Sequence, residues 1–246
     1  MIKVGVIGAS GKMGQQAGRA VESVDDLALV AAVGRGDPLE PLDRCDVAID
    51  FTTPETVLRH IDYCVDRDIH MVVGTSGFTE ERLATVRERL AAHPDVGVLV
   101  VPSFSIGAVV MMRAARAAAG LFESVEIIEM HHPDKLDAPS GTAMHTARQV
   151  AEARREAGRG DVPDATEHDP LGSRGGRVEG IPLHSVRVRG LVAHQEVLFG
   201  NQGETLTLRH DMVDRNAAMP GLLAAVRAIR AMPGLTVGLE HVLGLE

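Results

Sequence analysis

Short apolar, β-branched runs alternate with stretches of helical spacing along the first hundred residues. The runs fall at residues 2–7, 27–33, 47–51, 70–73 and 96–101, and helical spacing occupies 12–23, 54–66 and 79–92 between them. A strand-length run followed by a helical stretch, repeated, predicts βαβ units and a parallel sheet. Thr79 stands where the third helix needs an N-cap. Three residues on is Arg82 rather than the Glu or Gln of a capping box, so the cap is expected without a reciprocal partner.

Beyond residue 103 the pattern changes. A helical stretch at 106–121, a strand at 125–130, a polar loop and a helix at 141–157 lead into residues 158–180, which carry many Gly, Pro, Asp and Arg and no period. Such a segment reads as a mobile lid or a surface excursion. Strand-like runs follow at 183–188, 196–199 and 205–209, the last two joined by Gly200-Asn201-Gln202-Gly203, which is hairpin chemistry. Helical spacing returns at 216–231, with Pro220 acceptable only in the first turn. The expected architecture is α/β: a parallel-sheet domain of residues 1–102 completed by 216–246, and an α+β domain of residues 103–215 with a mixed open sheet.

Composition narrows the function classes. Hydrophobic residues make up 45% of 246, which is globular. Lys and Arg number 25 against 34 Asp and Glu, a net charge of −9, and aromatics are 2% with no Trp and one tyrosine, Tyr63. With neither a basic face nor a stacking platform, no nucleic-acid partner is expected. Two cysteines, Cys45 and Cys64, are too few for a disulfide framework and lack metal-ligand spacing, so a reducing, cytoplasmic setting is expected. The chain enters a strand at Ile2 without the basic region, apolar core and cleavage site of a signal peptide. The long uncharged stretch at 96–112 is broken by Pro102, Ser103, Ser105 and two glycines, so it reads as a strand running into a helix and no membrane partner is expected.

Candidate chemistry begins at residue 8. Gly8-Ala9-Ser10-Gly11-Lys12-Met13-Gly14 follows the first strand and opens the first helix, where backbone N–H groups and the helix dipole hold a pyrophosphate. A glycine-rich turn can be structural alone; its place inside a βαβ unit favours a dinucleotide. The second strand ends in Val33-Gly34-Arg35-Gly36-Asp37, with no acid at the tip to receive ribose hydroxyls. Arg35 beside Gly34 can face a 2′-phosphate while Asp37 turns away; the alternative makes Arg35 a solvated turn residue and Asp37 the ribose contact. NADPH is the expected favoured cofactor, with NADH also used. The turns Asp50-Phe51-Thr52-Thr53-Pro54 and Gly74-Thr75-Ser76-Gly77-Phe78 end parallel strands, and ligands bind at that end of such sheets, so Phe51, Gly74, Thr75 and Ser76 are candidate cofactor contacts.

The most informative run is Glu129-Met130-His131-His132-Pro133-Asp134-Lys135-Leu136-Asp137-Ala138-Pro139-Ser140-Gly141-Thr142-Ala143. It concentrates two imidazoles, an ammonium, a hydroxyl and a helix start in an acidic chain. A small carboxylate suits the helix N–H groups with Lys135 as counter-charge, and a histidine adds a proton donor that titrates near neutrality. Ser140 reads equally as an N-cap, and Pro133 and Pro139 as loop-shaping residues. A metal site from His131, His132, Asp134 and His145 is not expected, because adjacent histidines on a strand point apart.

With this run the chain resembles the 4-hydroxy-tetrahydrodipicolinate (dihydrodipicolinate) reductases of bacterial lysine and diaminopimelate synthesis. The resemblance extends through Val4-Gly5-Val6-Ile7 and the glycine loop, Asp50-Phe51-Thr52, Gly74-Thr75-Ser76-Gly77, Ser103-Phe104-Ser105-Ile106-Gly107, Gly190-Leu191-Val192-Ala193-His194-Gln195-Glu196-Val197 and Gly203-Glu204-Thr205-Leu206. It implies a Rossmann-type dinucleotide domain and a substrate-binding domain whose sheet assembles a homotetramer. It implies hydride transfer to a cyclic imine dicarboxylate with loss of water overall, and protonation of the neighbouring carbon. The proton donor then falls on His131, its companion substrate-binding histidine on His132, the catalytic lysine on Lys135, and the substrate-carboxylate site on Gly141 and Thr142 beside Ser140. Cofactor contacts fall on the glycine loop, Gly74, Ser76, Ser103 and Phe104. Two departures stand out: Val101-Pro102-Ser103-Phe104 replaces the family's Ala-Pro-Asn-Phe, and Ser76 replaces Thr, which bears on cofactor affinity more than on reaction type. Another imine or amino-acid dehydrogenase, such as an aspartate dehydrogenase, and a non-catalytic NAD(P)-binding sensor are the alternatives.

Overall fold

The structure is a computed structural model and describes residues 1–245. The chain forms two compact units, Met1–Ile106 with the segment from Ala218 onward, and Gly107–Ala217. In chain order the first unit runs β1 (Ile2–Ile7), α1 (Lys12–Glu22), β2 (Leu27–Val33), β3 (Val47–Asp50), α2 (Pro54–Val65), β4 (His70–Val73), α3 (Glu80–Leu90) and β5 (Gly97–Val100). The chain continues through α4 (Ile106–Ala119), β6 (Ser124–His131), α5 (Gly141–Glu156), β7 (Gly176–Val178), β8 (Ile181–Arg187), β9 (Ala193–Asn201) and β10 (Glu204–Met212). It closes with α6 (Met219–Ala228), β11 (Gly234–Val237) and α7 (Glu240–Leu243).

Six parallel strands make the first sheet, in the order β11-β5-β4-β3-β1-β2. All four residues of β3 and of β5 are buried, as expected of strands covered on both faces. The chain moves from β1 out to β2, then steps back past β1 to β3, so the strand order reverses between β1 and β3. At that switch point the carboxyl ends of neighbouring strands diverge and leave room for a ligand. Thr79 caps α3 through its hydroxyl, which accepts from the Arg82 N–H at 3.4 Å.

The second sheet is mixed, in the order β10-β9-β6-β8-β7, with β6 and β8 parallel and the other pairs antiparallel. α5 packs on β6 and β8. Its buried Ala143, Ala147, Val150 and Ala151 match the inward positions Val125, Ile127, Leu183, Val197 and Phe199 of the sheet. The parallel-sheet and mixed-sheet architecture is the one expected.

Two short strands were not expected. β7 lies in the aperiodic segment 158–180 and pairs with β8, while the rest of that segment is cross-linked by charge: Arg177 donates to Asp164 at 2.7 Å, and Arg174 reaches both Asp164 and Glu126 of β6. β11 follows the last helix and adds a sixth, half-buried edge strand beside β5. The closing helix is also shorter than its periodicity suggests, flanked by 3-10 turns at Arg215–Ala218 and Ile229–Ala231, with Pro220 in its first turn. Among the described residues no helix is long and apolar enough to cross a membrane.

Candidate active site

In the first unit the glycine loop is shaped by close approach. Gly8 has φ of 81°, and a side chain there would meet the Phe51 carbonyl oxygen at 2.3 Å; one at Gly14 would meet the Gly8 carbonyl oxygen at 2.1 Å. Glycine at both positions therefore lets the first turn of α1 lie against the ends of β1 and β3. Gly11 is the N-cap of α1 and offers no side-chain cap, and the first turn carries no acid. The N–H groups of that turn and the positive end of the helix dipole are thus presented to an anion, which fits a dinucleotide pyrophosphate. Ser10, Gly11 and Lys12 are exposed, and Ala9 and Met13 half-buried.

The turn after β2 corrects one expectation. Asp37 does not turn away: Gly36, at φ of 82°, folds the chain back so that Asp37 Oδ2 accepts from the Gly34 N–H at 2.7 Å. Arg35 and Asp37 are both exposed at this strand tip.

The turns after β3 and β4 are joined by a buried carboxylate that the sequence reading passed over. Asp50 is fully buried; its Oδ1 accepts from the Thr52 N–H at 3.0 Å, the Thr52 hydroxyl at 2.7 Å and the Thr75 hydroxyl at 2.6 Å, and its Oδ2 lies 2.7 Å from His60 Nδ1. Thr75 also accepts from the Thr52 N–H at 2.8 Å, so its hydroxyl serves the two turns and is 5% exposed. The Gly74 N–H bonds the Asp50 carbonyl at 2.9 Å, and Ser76 is exposed beyond it. Phe51 meets buried Phe104 edge to face, with ring centroids 5.6 Å apart, and the Ser103 hydroxyl accepts from the Ser105 N–H at 3.3 Å.

In the second unit the end of β6 carries the chemistry. Alternation along a strand sends Glu129 and His131 to the same face. The Glu129 side chain is fully buried, and His131 Nδ1 lies 2.5 Å from its Oε2. Arg187, the register partner of His131 on β8, forks onto both Glu129 oxygens at 2.8 and 2.9 Å. Burial pushes the Glu129 carboxyl up, but the hydrogen bonds from His131, Arg187 and Ser185 outweigh it and hold it down at about 2.

The loop after β6 is anchored to the same group. Arg187 donates to the Asp137 carbonyl at 2.8 Å, and the Ser140 N–H donates to Glu129 Oε1 at 3.2 Å. Lys135 Nζ donates to Asp137 Oδ1 at 2.6 Å and its side chain is 19% exposed. Ser140 caps α5, its hydroxyl accepting from the Ala143 N–H at 3.2 Å. Gly141, exposed, and Thr142, half-buried, form the first turn of α5, whose first turn holds no acid. His132 Nε2 lies 2.8 Å from the Arg215 guanidinium, which donates to it. The structure thus gathers His131, His132 and Lys135 at the end of β6, and Ser140, Gly141 and Thr142 at the start of α5. It adds Glu129, Arg187 and Arg215. Among the described residues no cluster of three or more His, Cys, Asp or Glu is placed to hold a metal ion.

Comparison with known proteins identifies the family of both units. Residues 2–104 match the family model of the dihydrodipicolinate reductase N-terminus, and residues 107–243 that of its C-terminus. The chain is 55% identical over 246 residues to the 4-hydroxy-tetrahydrodipicolinate reductase of Cutibacterium acnes, covering all of both chains. It is 56% identical to that of Nocardia farcinica, covering 99% of each. Among solved structures, the dipicolinate-bound dihydrodipicolinate reductase of Paenisporosarcina sp. TG-14 aligns with a TM-score of 0.81 and 38% identity, over 98% of this chain and 99% of that one. The resemblance carried by the run from His131 to Ala143 is therefore borne out, and the chain belongs to the dihydrodipicolinate reductase family.

Proposed function

We propose that this chain catalyses the NAD(P)H-dependent reduction of 4-hydroxy-tetrahydrodipicolinate to tetrahydrodipicolinate, with loss of water, in lysine and diaminopimelate synthesis. The observation that carries the reading is the run from His131 to Thr142. It sets an imidazole held by a buried carboxylate, an ammonium and an acid-free helix start within one strand-loop-helix segment. A dicarboxylate needs both an anion-binding helix terminus and a counter-charge, and protonation at a ring carbon needs a positioned acid. The names of the relatives and the dipicolinate bound to one of them support the same substrate class.

In this reading Gly141 and Thr142 bind one carboxylate through their backbone N–H groups, with Ser140 fixing that turn. His132 and Lys135 contact the substrate, and His131 with Lys135 supplies the proton. The dinucleotide is held by residues 8–14, Gly34 and Arg35, by Gly74, Thr75 and Ser76, and by Phe51, Ser103 and Phe104. When bound, a reduced nicotinamide supplies the hydride. NADPH is favoured and NADH also used, with exposed Arg35 facing the 2′-phosphate and Asp37 narrowing the margin. The uncovered face of the mixed sheet forms a homotetramer, and the enzyme acts in the cytoplasm.

The test is oxidation of NADPH and of NADH with freshly generated substrate. Turnover is expected with both, and pyridine-2,6-dicarboxylate is expected to compete with the substrate. Lys135→Ala should lower turnover by about 10²-fold or more, the scale of a positioned acid or counter-charge, whereas Thr142→Val should raise the Michaelis constant more than it lowers turnover. Cofactor binding without oxidation would leave a non-catalytic sensor, and indifference to the dicarboxylate at millimolar concentration would remove the substrate assignment.

A further inference from the structure

We infer that Glu129 is the positioning residue for His131, and that Arg187 holds Glu129 in place and offsets its charge. The inference rests on the reading of His131 as the proton donor and assigns roles to residues outside that reading. A fully buried carboxylate is costly unless its lone pairs are met. Those of Glu129 are met by His131 Nδ1, by both terminal nitrogens of Arg187 and by the Ser140 N–H.

An ionised carboxylate only accepts, so His131 Nδ1 carries a hydrogen in both charge states of the ring. The proton that comes and goes is then the one on Nε2, and the ring is held in a single tautomer with that edge turned from Glu129. A bare buried carboxylate at 2.5 Å would also bind the imidazolium tightly and keep the proton. The forked Arg187 guanidinium offsets that charge, so the pair presents orientation with reduced electrostatic hold. The same two side chains set the substrate side: Arg187 bonds the Asp137 carbonyl, and Glu129 bonds the Ser140 N–H immediately before the first turn of α5. One carboxylate thereby registers the donor against the helix start.

Several elements pack around this pair. β8 supplies Arg187 and Ser185, β9 supplies neutral Gln195 and Ala193 as register partners of Glu129 and His131, and Ser140, the N-cap of α5, supplies its N–H. At the strand end Lys135 is paired with Asp137 and Arg215 with His132.

Three variants of the intact enzyme, Glu129→Gln, Arg187→Met and His131→Gln, test the inference through pH profiles of kcat and separate Michaelis constants. Glu129→Gln should lower kcat by about ten- to a hundredfold, part of what a positioned acid supplies, with the substrate Michaelis constant changed far less. The alkaline limb of kcat should move to lower pH in Glu129→Gln and to higher pH in Arg187→Met, since one change removes a negative charge and the other a positive one. A role limited to folding would not move the limb in opposite directions. Limbs that stay in place or move together overturn the inference. Full turnover in His131→Gln would instead overturn the donor assignment itself, and loss of turnover in His131→Gln with an unaltered Glu129→Gln would overturn the positioning role alone. Nitrogen NMR of the unmodified protein with labelled histidine needs no variant to fold: neutral His131 should be the Nδ1–H tautomer, and an Nε2–H tautomer would refute the inference.

Discussion

Glu129 also makes a prediction about stability. Its carboxyl is held at about 2 against an ordinary 4.5. A group that ionises more readily in the folded than in the unfolded chain stabilises the fold above the unfolded value and loses that contribution as the pH falls toward the folded one. The gap corresponds to a contribution on the order of 3 kcal/mol, complete above about pH 5 and lost between there and about pH 2. Thermal midpoints of the unmodified protein should therefore fall over that window, and those of Glu129→Gln should fall less. Equal slopes in the two proteins would show that the carboxylate does not couple to folding. At this scale the site was only partly legible. His131, His132, Lys135, Ser140, Gly141 and Thr142 sit within twelve positions of one another, so local spacing exposed them. Arg187 lies 58 positions from Glu129, and Arg215 lies 83 from His132; only strand register and chain return bring them together. Glu129 itself stood at the head of the run, but its signal was a charged residue at an inward strand position, which reads as chemistry only once that face is known to be buried.

Cofactor selection belongs to the scale of elements. α1 and α5 differ at their starts: α1 has no side-chain cap, whereas the Ser140 hydroxyl caps α5. The turn after β2 contributes opposite charges. Arg35 is exposed, and Asp37 is tied back to the Gly34 N–H rather than pointing away, so a 2′-phosphate bound at the tip, as proposed, would meet attraction from one and repulsion from the other. A charge-assisted contact is worth about 1.5–3 kcal/mol, roughly ten- to a hundredfold. Arg35→Ala should therefore shrink the ratio of NADPH to NADH efficiency chiefly through the NADPH Michaelis constant, and Asp37→Ala should enlarge it. A ratio untouched by Arg35→Ala would remove the guanidinium from cofactor selection. The core βαβ elements were legible because their apolar runs are continuous, and α3 because Thr79 marks its start. β7 and β11 were not: at three and four residues, with no fully buried position, they have too few apolar positions to show a period and form only by pairing with β8 and β5. Asp37 was misplaced for a related reason, since a four-residue turn through Gly36 returns a residue that linear spacing sends outward.

On the scale of the whole molecule, the mixed sheet raises the question of assembly. Along β6, Val125, Ile127 and Glu129 are buried while Glu126, Ile128 and Met130 are partly exposed, and β9 places partly exposed Glu196 and Leu198 beside the latter set. The sheet thus has one closed face and one that mixes apolar side chains with charge pairs, including Arg209 with Glu196 at 3.0 Å and His194 with Asp211 at 2.6 Å. Apolar centres ringed by partnered polar groups are the composition of a stable protein interface, and the proposed tetramer would set this face against the same face of a second copy. Such an interface places Leu198 and Ile128, neighbours diagonal across β6 and β9, close to its centre. A carboxylate there is tolerated by a solvated face and not by a desolvated one. Leu198→Glu should therefore keep the circular dichroism and cofactor binding of the unmodified chain while sedimentation velocity at micromolar concentration shifts from a tetramer to smaller species. An unmodified chain that sediments as a monomer, or a Leu198→Glu protein that remains tetrameric, would place the assembly surface elsewhere or remove it.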